Sequence, residues 1–258
     1  MGEGPEILLI HGTGASTHSW RGLAPILANH FTVIAPDLPG HAFTDGARGK
    51  RSSLPAMAAA VAALVEALAL RPVIVVGHSA GAAILIRCCQ EKALVPDGIV
   101  SVNGALMPFR GAAGFIFPAL AKLMFLNPLT PRLMARSAGN IDRVARLIRD
   151  TGSDLDPTGV ELYARLFRNP EHVAATLGMM AQWDLRPLAR ELSELDVPLM
   201  LIAGDNDRAV APEEAERISR RVAGSRVERI AGLGHLAHEE DPAAVATIVA
   251  RFADTVGG

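Results

Sequence analysis

Val73-Ile74-Val75-Val76-Gly77-His78-Ser79-Ala80-Gly81 reads as a buried strand that runs into a Gly-x-Ser-x-Gly turn, with a helical pattern over Ala80–Glu91 directly behind it. Strand, sharp turn, helix is the context that gives this pentapeptide chemical meaning. The turn forces strained backbone angles on Ser79, and the flanking glycines avoid clashes with the neighbouring strand and helix. The serine hydroxyl is thereby lifted above the sheet edge at a helix N-terminus, where developing negative charge is favoured. A chain with 24 glycines could carry such a turn for no chemical reason. The rest of the chain argues against that plainer reading.

Working outward, short β-rich apolar runs alternate with helical patterns, which signals a parallel sheet covered on both faces. Strands are expected at Ile7–Ile10, Thr32–Ala35, Val73–Val76, Ile99–Val102, Leu199–Ala203 and Arg226–Ile230. Helices are expected at Trp20–Ala28, Ala56–Ala69, Ala80–Glu91, Glu213–Val222 and Pro242–Asp254. The Ala56–Ala69 segment is nearly all Ala, Val and Leu, which suits a helix pressed flat on a sheet.

Three further segments sit where strands end. His11-Gly12-Thr13-Gly14 follows the first strand, and such a turn supplies one backbone N–H of an oxyanion hole. The residue after the nucleophile supplies the other, so Thr13 and Ala80 are the expected donors, with Gly14 a substitute for Thr13. A dinucleotide fingerprint is the competing reading of Gly12-x-Gly14, with Asp37 beyond it. It fails because the third glycine position is Thr17. Gly204-Asp205-Asn206-Asp207 ends the strand Leu199–Ala203, and Gly234-His235 follows the last strand on a Gly-rich loop. The chain order Ser…Asp…His is the one expected of this arrangement. His235 would take the proton of Ser79, and a carboxylate would hold its tautomer, with Asp207 the first choice and Asp205 the reserve.

The other histidines carry blander expectations. His78 adjoins Ser79, but successive side chains of an extended segment point apart, so it should not be the base. His238 with Asp205 and Asp207 has a metal-like spacing. The weightier reading is that His238, Glu239 and Glu240 cap and orient the final helix. His41 is placed at the pocket border, and His18, His30 and His172 on the surface or in packing.

Composition bounds the rest. The 258 residues are half hydrophobic and 20% charged, with 25 basic and 27 acidic residues, so a large core is assured. A net charge of −2 and scattered arginines give no footprint for nucleic acid. Adjacent Cys88 and Cys89 rarely bridge each other, so they are expected as small apolar filling on a helix in a reducing compartment. Met1 is not followed by a basic stretch and an apolar run. No run of 18 apolar residues occurs either, so the default expectation is a cytoplasmic protein without a transmembrane segment. These residues call for no metal and no cofactor.

Between Asn103 and Asp196 the alternation stops. Pro108, Pro118, Pro128, Pro131, Pro157 and Pro170 punctuate apolar and Arg-rich helical stretches there. This reads as a helical lid over 105–187 inserted in an α/β core of 1–104 and 188–258. Phe109, Phe115, Phe117, Leu120, Leu123, Met124, Phe125, Leu126 and Leu129 make its first half greasy. For most of them packing onto the core is the expectation; lining a substrate chamber or touching a membrane is the sharper one.

Together, Ile7–Gly14, Asp37-Leu38-Pro39-Gly40-His41, Gly77–Gly81, Gly204-x-x-Asp207 and Gly234-His235 resemble the α/β-hydrolase superfamily over nearly the whole chain. Within it, His11–Trp20, Asn103–Arg110 and Gly178–Pro187 resemble the magnesium-chelatase-associated (BchO-type) hydrolases of bacteriochlorophyll biosynthesis. The resemblance implies a serine hydrolase of an apolar, ester-like small molecule. It further implies a role near magnesium insertion into protoporphyrin, with a tetrapyrrole as substrate or a magnesium-chelatase subunit as partner. A non-catalytic porphyrin- or chelatase-binding accessory protein is the alternative from another class. Perhydrolysis and carbon–carbon hydrolysis stay open on the same fold. Dehalogenase and epoxide hydrolase chemistry is weaker, because those relatives carry Asp where this chain has Ser79.

Two departures from the family pattern have structural consequences. Members of the family usually open with a β-hairpin before the strand that ends in His-Gly, whereas this sequence begins at the turn Gly2-Glu3-Gly4-Pro5; if that hairpin is absent, Thr32–Ala35 is expected to be an exposed edge. Ala42 stands where the family often has glycine, for which only a local loop change is expected.

Overall fold

The structure, a computed structural model, describes residues 1–46, 52–108, 123–124 and 126–257. Six strands form where the apolar runs lie: β1 Glu6–Ile10, β2 Thr32–Ile34, β3 Ile74–His78, β4 Gly98–Val102, β5 Leu199–Gly204 and β6 Arg226–Ile230. They build one sheet in the order β2-β1-β3-β4-β5-β6, parallel at every pairing. Parallel neighbours need crossovers. These contain α1 (Leu23–Leu27), α2 (Leu54–Ala67), α3 (Ala80–Gln90) and, between β5 and β6, α9 (Glu213–Ser219), while α11 (Pro242–Val256) follows β6.

The apolar strands have no polar face because both faces are covered. Leu8, Ile10, Val75, Ile99, Leu199 and Leu201 pack into one core with α2 and α3. Their alternating neighbours Ile7, Leu9, Ile74, Val76, Val100, Met200 and Ile202 pack into the other with α1 and α11. Cys88 and Cys89 are free thiols buried on α3 against the first core.

The expected Trp20–Ala28 helix is broken in two. Ser16 caps a 3₁₀ turn over Thr17–Trp20, and α1 begins only after Gly22. A Cβ on Gly22 would come 2.9 Å from Pro242 Cγ, so the start of α11 packs tightly here. The β2 edge is partly covered: Met1 and Val33 exchange both backbone hydrogen bonds, at 2.7 and 2.9 Å. At Ala42 the chain takes φ 47, a left-handed conformation that glycine adopts without strain, and that is the physical content of the missing glycine.

Between β4 and β5 lie α4 (Thr130–Ser137), α5 (Ile141–Asp150), α6 (Pro157–Phe167), α7 (Pro170–Gln182) and α8 (Arg186–Glu191). Three of the prolines that break the sequence pattern open helices rather than interrupt them: Pro131, Pro157 and Pro170 sit in first turns, where no N–H is needed. Asn140, Asp156 and Asn169 cap α5, α6 and α7 with side-chain oxygens. Phe109, Phe115, Phe117, Leu120 and Phe125 lie outside the described residues. Leu123, Leu126 and Leu129 are exposed, which overturns the packing expectation for them. Among the described residues no helix is long and apolar enough to cross a membrane.

Candidate active site

The register of the sheet brings the sequence-predicted residues to one end. Ile10 of β1 pairs with Gly77 of β3, so the turn Gly12–Gly14 and the turn at Ser79 leave the sheet side by side. Ser79 takes φ 51 and ψ −116, a conformation tolerated only where the surroundings enforce it. The flanking glycines are enforced by backbone. A Cβ on Gly77 would collide with Ala82, and one on Gly81 with the carbonyl oxygens of Ile10 and His11. A Cβ on Gly12 would come 3.1 Å from Ser79 Cβ, which measures how tightly the two turns abut. Ser79 stands at the N-cap of α3 yet makes no side-chain capping bond, which leaves its hydroxyl uncommitted. Ala80 is the first residue of α3, so its N–H has no acceptor within the helix.

Asp207 follows β5 and is buried. Its Oδ1 accepts the backbone N–H groups of Ala209 and Val210 at 2.8 and 2.9 Å. Its Oδ2 accepts His235 Nδ1–H at 2.8 Å, which holds the imidazole in the tautomer with Nε2 unprotonated. Asp205, the reserve acid, instead bonds Arg229 Nε at 2.6 Å on the sheet edge. Among the described residues no hydrogen bond joins Ser79 Oγ to His235.

Several residues that hold this arrangement carry no sequence motif. Asn103, at φ 48 just past β4, donates from Nδ2 to Asp207 Oδ2 at 2.8 Å and to the Gly234 carbonyl at 3.3 Å. His78 donates from Nε2 to the His235 carbonyl at 2.9 Å, so its ring is committed to holding the loop that carries His235. Glu240 accepts from the N–H of Gly234 at 2.8 Å, and Ser153 Oγ from that of Leu236 at 2.8 Å. Gly152, at φ 90, lies so close to Asn206 that a side chain there would strike its carbonyl oxygen. The segment 151–153 is therefore wedged between the loop that carries Asp207 and the loop that carries His235. An Asn at the carboxyl end of a central strand was the one visible signal; apart from the local Gly234–Glu240 bond, the other contacts join residues 54 or more apart.

The histidines divide as surface or packing residues, with His30 exposed, and the capping role expected of His238 is the one corrected. His18, His41, His78, His172 and His238 are largely or wholly buried, none of them a surface residue. His238 sits on a short helix, α10 (Ala237–Glu240), wedged between Trp20 and His78 with ring centroids 4.5 and 4.4 Å apart. It does not cap the final helix; Asp241 does, accepting from Ala244 N–H at 2.9 Å. His172, on α7, donates from Nε2 to Gly14 O and accepts Ala42 N–H at Nδ1, both at 3.1 Å. It ties the β4–β5 insertion to the turn beside Ser79. His11 donates from Nδ1 to Gly12 O and accepts Leu38 N–H at Nε2, so it too is neutral. Burial lowers His11 and His18 to about 4 and His41 and His238 to about 3, and lowers His78 and His172 as well. Burial raises the Glu239 carboxyl to about 8, and Tyr163 OH donates to it at 2.7 Å.

Above the turns lies a cavity of about 450 Å³, lined by Met124, Met134, Val144, Phe167, Leu177 and Met180 among others, with Arg143 its charged residue. Phe167 and Thr176 of its wall also face Gly14, at 3.6 and 3.4 Å from where a Cβ would be. Thr13 Oγ1 lies 3.5 Å from Met179 Sδ on the same helix, α7. An apolar chamber thus borders the turn next to Ser79.

Comparison with known proteins agrees with this architecture. The model of the alpha/beta hydrolase family matches residues 7–248. The magnesium-chelatase 30 kDa subunit of Rhodobacter capsulatus is 40% identical over 237 residues, 92% of this chain and 82% of that protein. A thermophilic esterase from Thermogutta terrifontis superposes with a TM-score of 0.78 at 25% identity, covering 99% of this chain and 91% of the other. The epoxide hydrolase CorEH superposes with a TM-score of 0.82 at 20% identity, covering 97% and 92%, a likeness of fold alone. With a family match over almost the whole length and a six-stranded parallel sheet ending in these turns, the chain belongs to the alpha/beta hydrolase family.

Proposed function

We propose that this protein is a serine-type hydrolase that cleaves an apolar, ester-like substrate by acyl transfer. Ser79 Oγ attacks the carbonyl carbon while His235 Nε2 takes its proton, and Asp207 stabilises the imidazolium through Nδ1. The backbone N–H groups of Thr13 and Ala80 receive the oxyanion. The imidazolium then returns its proton to the leaving alcohol. Water, deprotonated by the same nitrogen, releases the acid and frees Ser79. The helical insertion over 105–187 acts as the lid, with the 450 Å³ chamber holding the apolar body of the substrate.

The observation that carries the reading is the buried Asp207–His235 bond at 2.8 Å, delivered to the sheet end where Ser79 sits strained with its hydroxyl uncommitted. The kinship with a magnesium-chelatase subunit supports a setting in magnesium-porphyrin and bacteriochlorophyll synthesis, with a tetrapyrrole or a chelatase subunit as partner. Phenylmethylsulfonyl fluoride or a fluorophosphonate should add once to the folded protein, on Ser79, and not to Ser79→Ala. Absence of the adduct by intact-mass analysis would overturn the proposal.

The missing Ser79–His235 hydrogen bond, together with the relative's designation as a subunit, favours one second reading: an accessory protein that binds a porphyrin in the chamber without turning it over. Tight Soret-band titration of Ser79→Ala with protoporphyrin, combined with no Ser79 adduct in the parent, would select it.

A further inference from the structure

Exposed large apolar side chains are not spread evenly over this molecule; they gather on the β4–β5 insertion. On α4, Pro131 and Ala135 face inward, which turns Leu129, Arg132, Leu133 and Arg136 outward together. On α5, Val144 and Ile148 face inward and Arg143, Arg146 and Leu147 share the outer side at helical spacing. Leu129, Leu133 and Leu147 are 56%, 62% and 53% exposed, values that leave no room for a packing role. Met134, Leu147 and Met180 are exposed and also line the 450 Å³ cavity, so its mouth opens on this side.

The same face carries a cluster of exposed arginines: Arg132, Arg136, Arg143 and Arg146. Several arginines elsewhere are paired, among them Arg21 with Asp156, Arg87 with Glu91 and Glu191, Arg168 with Glu161, Arg229 with Asp205 and Glu216, and Arg251 with Glu228. Among the described residues none of Arg132, Arg136, Arg143 or Arg146 forms an ion pair. Asp142 and Asp150 are the acidic residues of these two helices, and neither closes on an arginine. Four unpaired guanidinium groups interleaved with leucines, in a chain of net charge −2, form a cationic apolar surface.

We propose that the outer face of α4 and α5 docks on an anionic lipid surface, with Leu129, Leu133 and Leu147 entering the headgroup region and the four arginines meeting lipid phosphates. Nucleic acid would use the arginines but leave the leucines in water. A neutral apolar partner would bury the leucines but strand the guanidinium groups. An anionic interface satisfies both, because arginine stems lie along apolar surface while their heads reach phosphate. The docking is independent of the chemistry at Ser79.

Vesicle co-sedimentation tests it, with phosphatidylcholine alone against equal parts of phosphatidylcholine and phosphatidylglycerol. The full chain should pellet with the mixed vesicles and not with the neutral ones, and should be released at about 0.5 M NaCl. Arg132→Gln with Arg136→Gln should weaken partition by about 25-fold, fivefold for each charge removed. Leu129→Ser with Leu133→Ser should weaken it as clearly, while the circular-dichroism melt stays unchanged, as expected of exposed positions. No pelleting, equal pelleting with both lipids, or indifference to the leucine pair would each overturn the proposal. So would a lipid-free dimer that the leucine pair dissociates, which would make this face a contact between copies.

Discussion

Asn103 Nδ2 and His235 Nδ1 donate to the same oxygen of Asp207, each at 2.8 Å. With Oδ1 held by two backbone N–H groups, the carboxylate is fixed on both oxygens, and the imidazole plane follows from it. Asn103 therefore orients the candidate acid without touching the reacting atoms.

The corresponding substitution should separate the roles. Asn103→Ala should lower kcat for a p-nitrophenyl ester by about tenfold with KM little changed, since a charge-assisted bond is worth about 1.5–3 kcal/mol and part of that is recovered by relaxation. Asp207→Asn should lower kcat by about 10⁴ because the tautomer is lost. Equal losses in the two variants would place Asn103 in the reaction itself.

Buried histidines make this fold sensitive to acid. The folded protein holds His11 and His18 at about 4 and His41 and His238 at about 3, whereas the unfolded chain protonates them near 6.5. Below pH 6.5 the unfolded state binds more protons, so stability falls as pH falls, and each such group stops contributing below its folded value. The slope should approach about 1.4 kcal/mol per pH unit for each histidine in that window. Urea unfolding at several pH values measures it. A flat profile between pH 6.5 and about 4 would contradict the burial of these rings.

The glycines beside Ser79 are there for space. Gly81→Ala drives a methyl into the carbonyl oxygens of Ile10 and His11 and should cost more than about 3 kcal/mol or abolish soluble expression. Gly224→Ala meets nothing within 4 Å and carries only the strain of φ 72, about 1–2 kcal/mol. Equal melting-temperature losses would mean that steric contact is not what the first position avoids.

Ala42 provides the opposite case. At φ 47 its Cβ is strained, so Ala42→Gly should gain about 0.5 kcal/mol after the entropy of the freer unfolded chain is counted. A loss of similar size in chemical denaturation would show that packing of the alanine methyl outweighs the strain of its backbone.

What was legible in the sequence followed local periodicity. Val73–Val76 reads as a strand because nothing polar interrupts it, and Gly77–Gly81 as a turn because two glycines bracket one serine. Less legible was anything that depends on which distant side chain arrives. His238 looks like a capping residue from its neighbours, but α10 delivers it to Trp20 and His78. Asp205 and Asp207 are two residues apart with similar surroundings in the chain. The turn after β5 sends one to Arg229 on the edge and the other to His235 inside.

The sequence by itself determined the order of strands and helices, the position of the serine turn and the candidate histidine, because these rest on contacts within a few residues. Tertiary structure alone decided which aspartate meets His235, which histidines are neutral, and which arginines gather unpaired among exposed leucines. Those outcomes depend on burial and on partners brought together across the chain, and no local period encodes them.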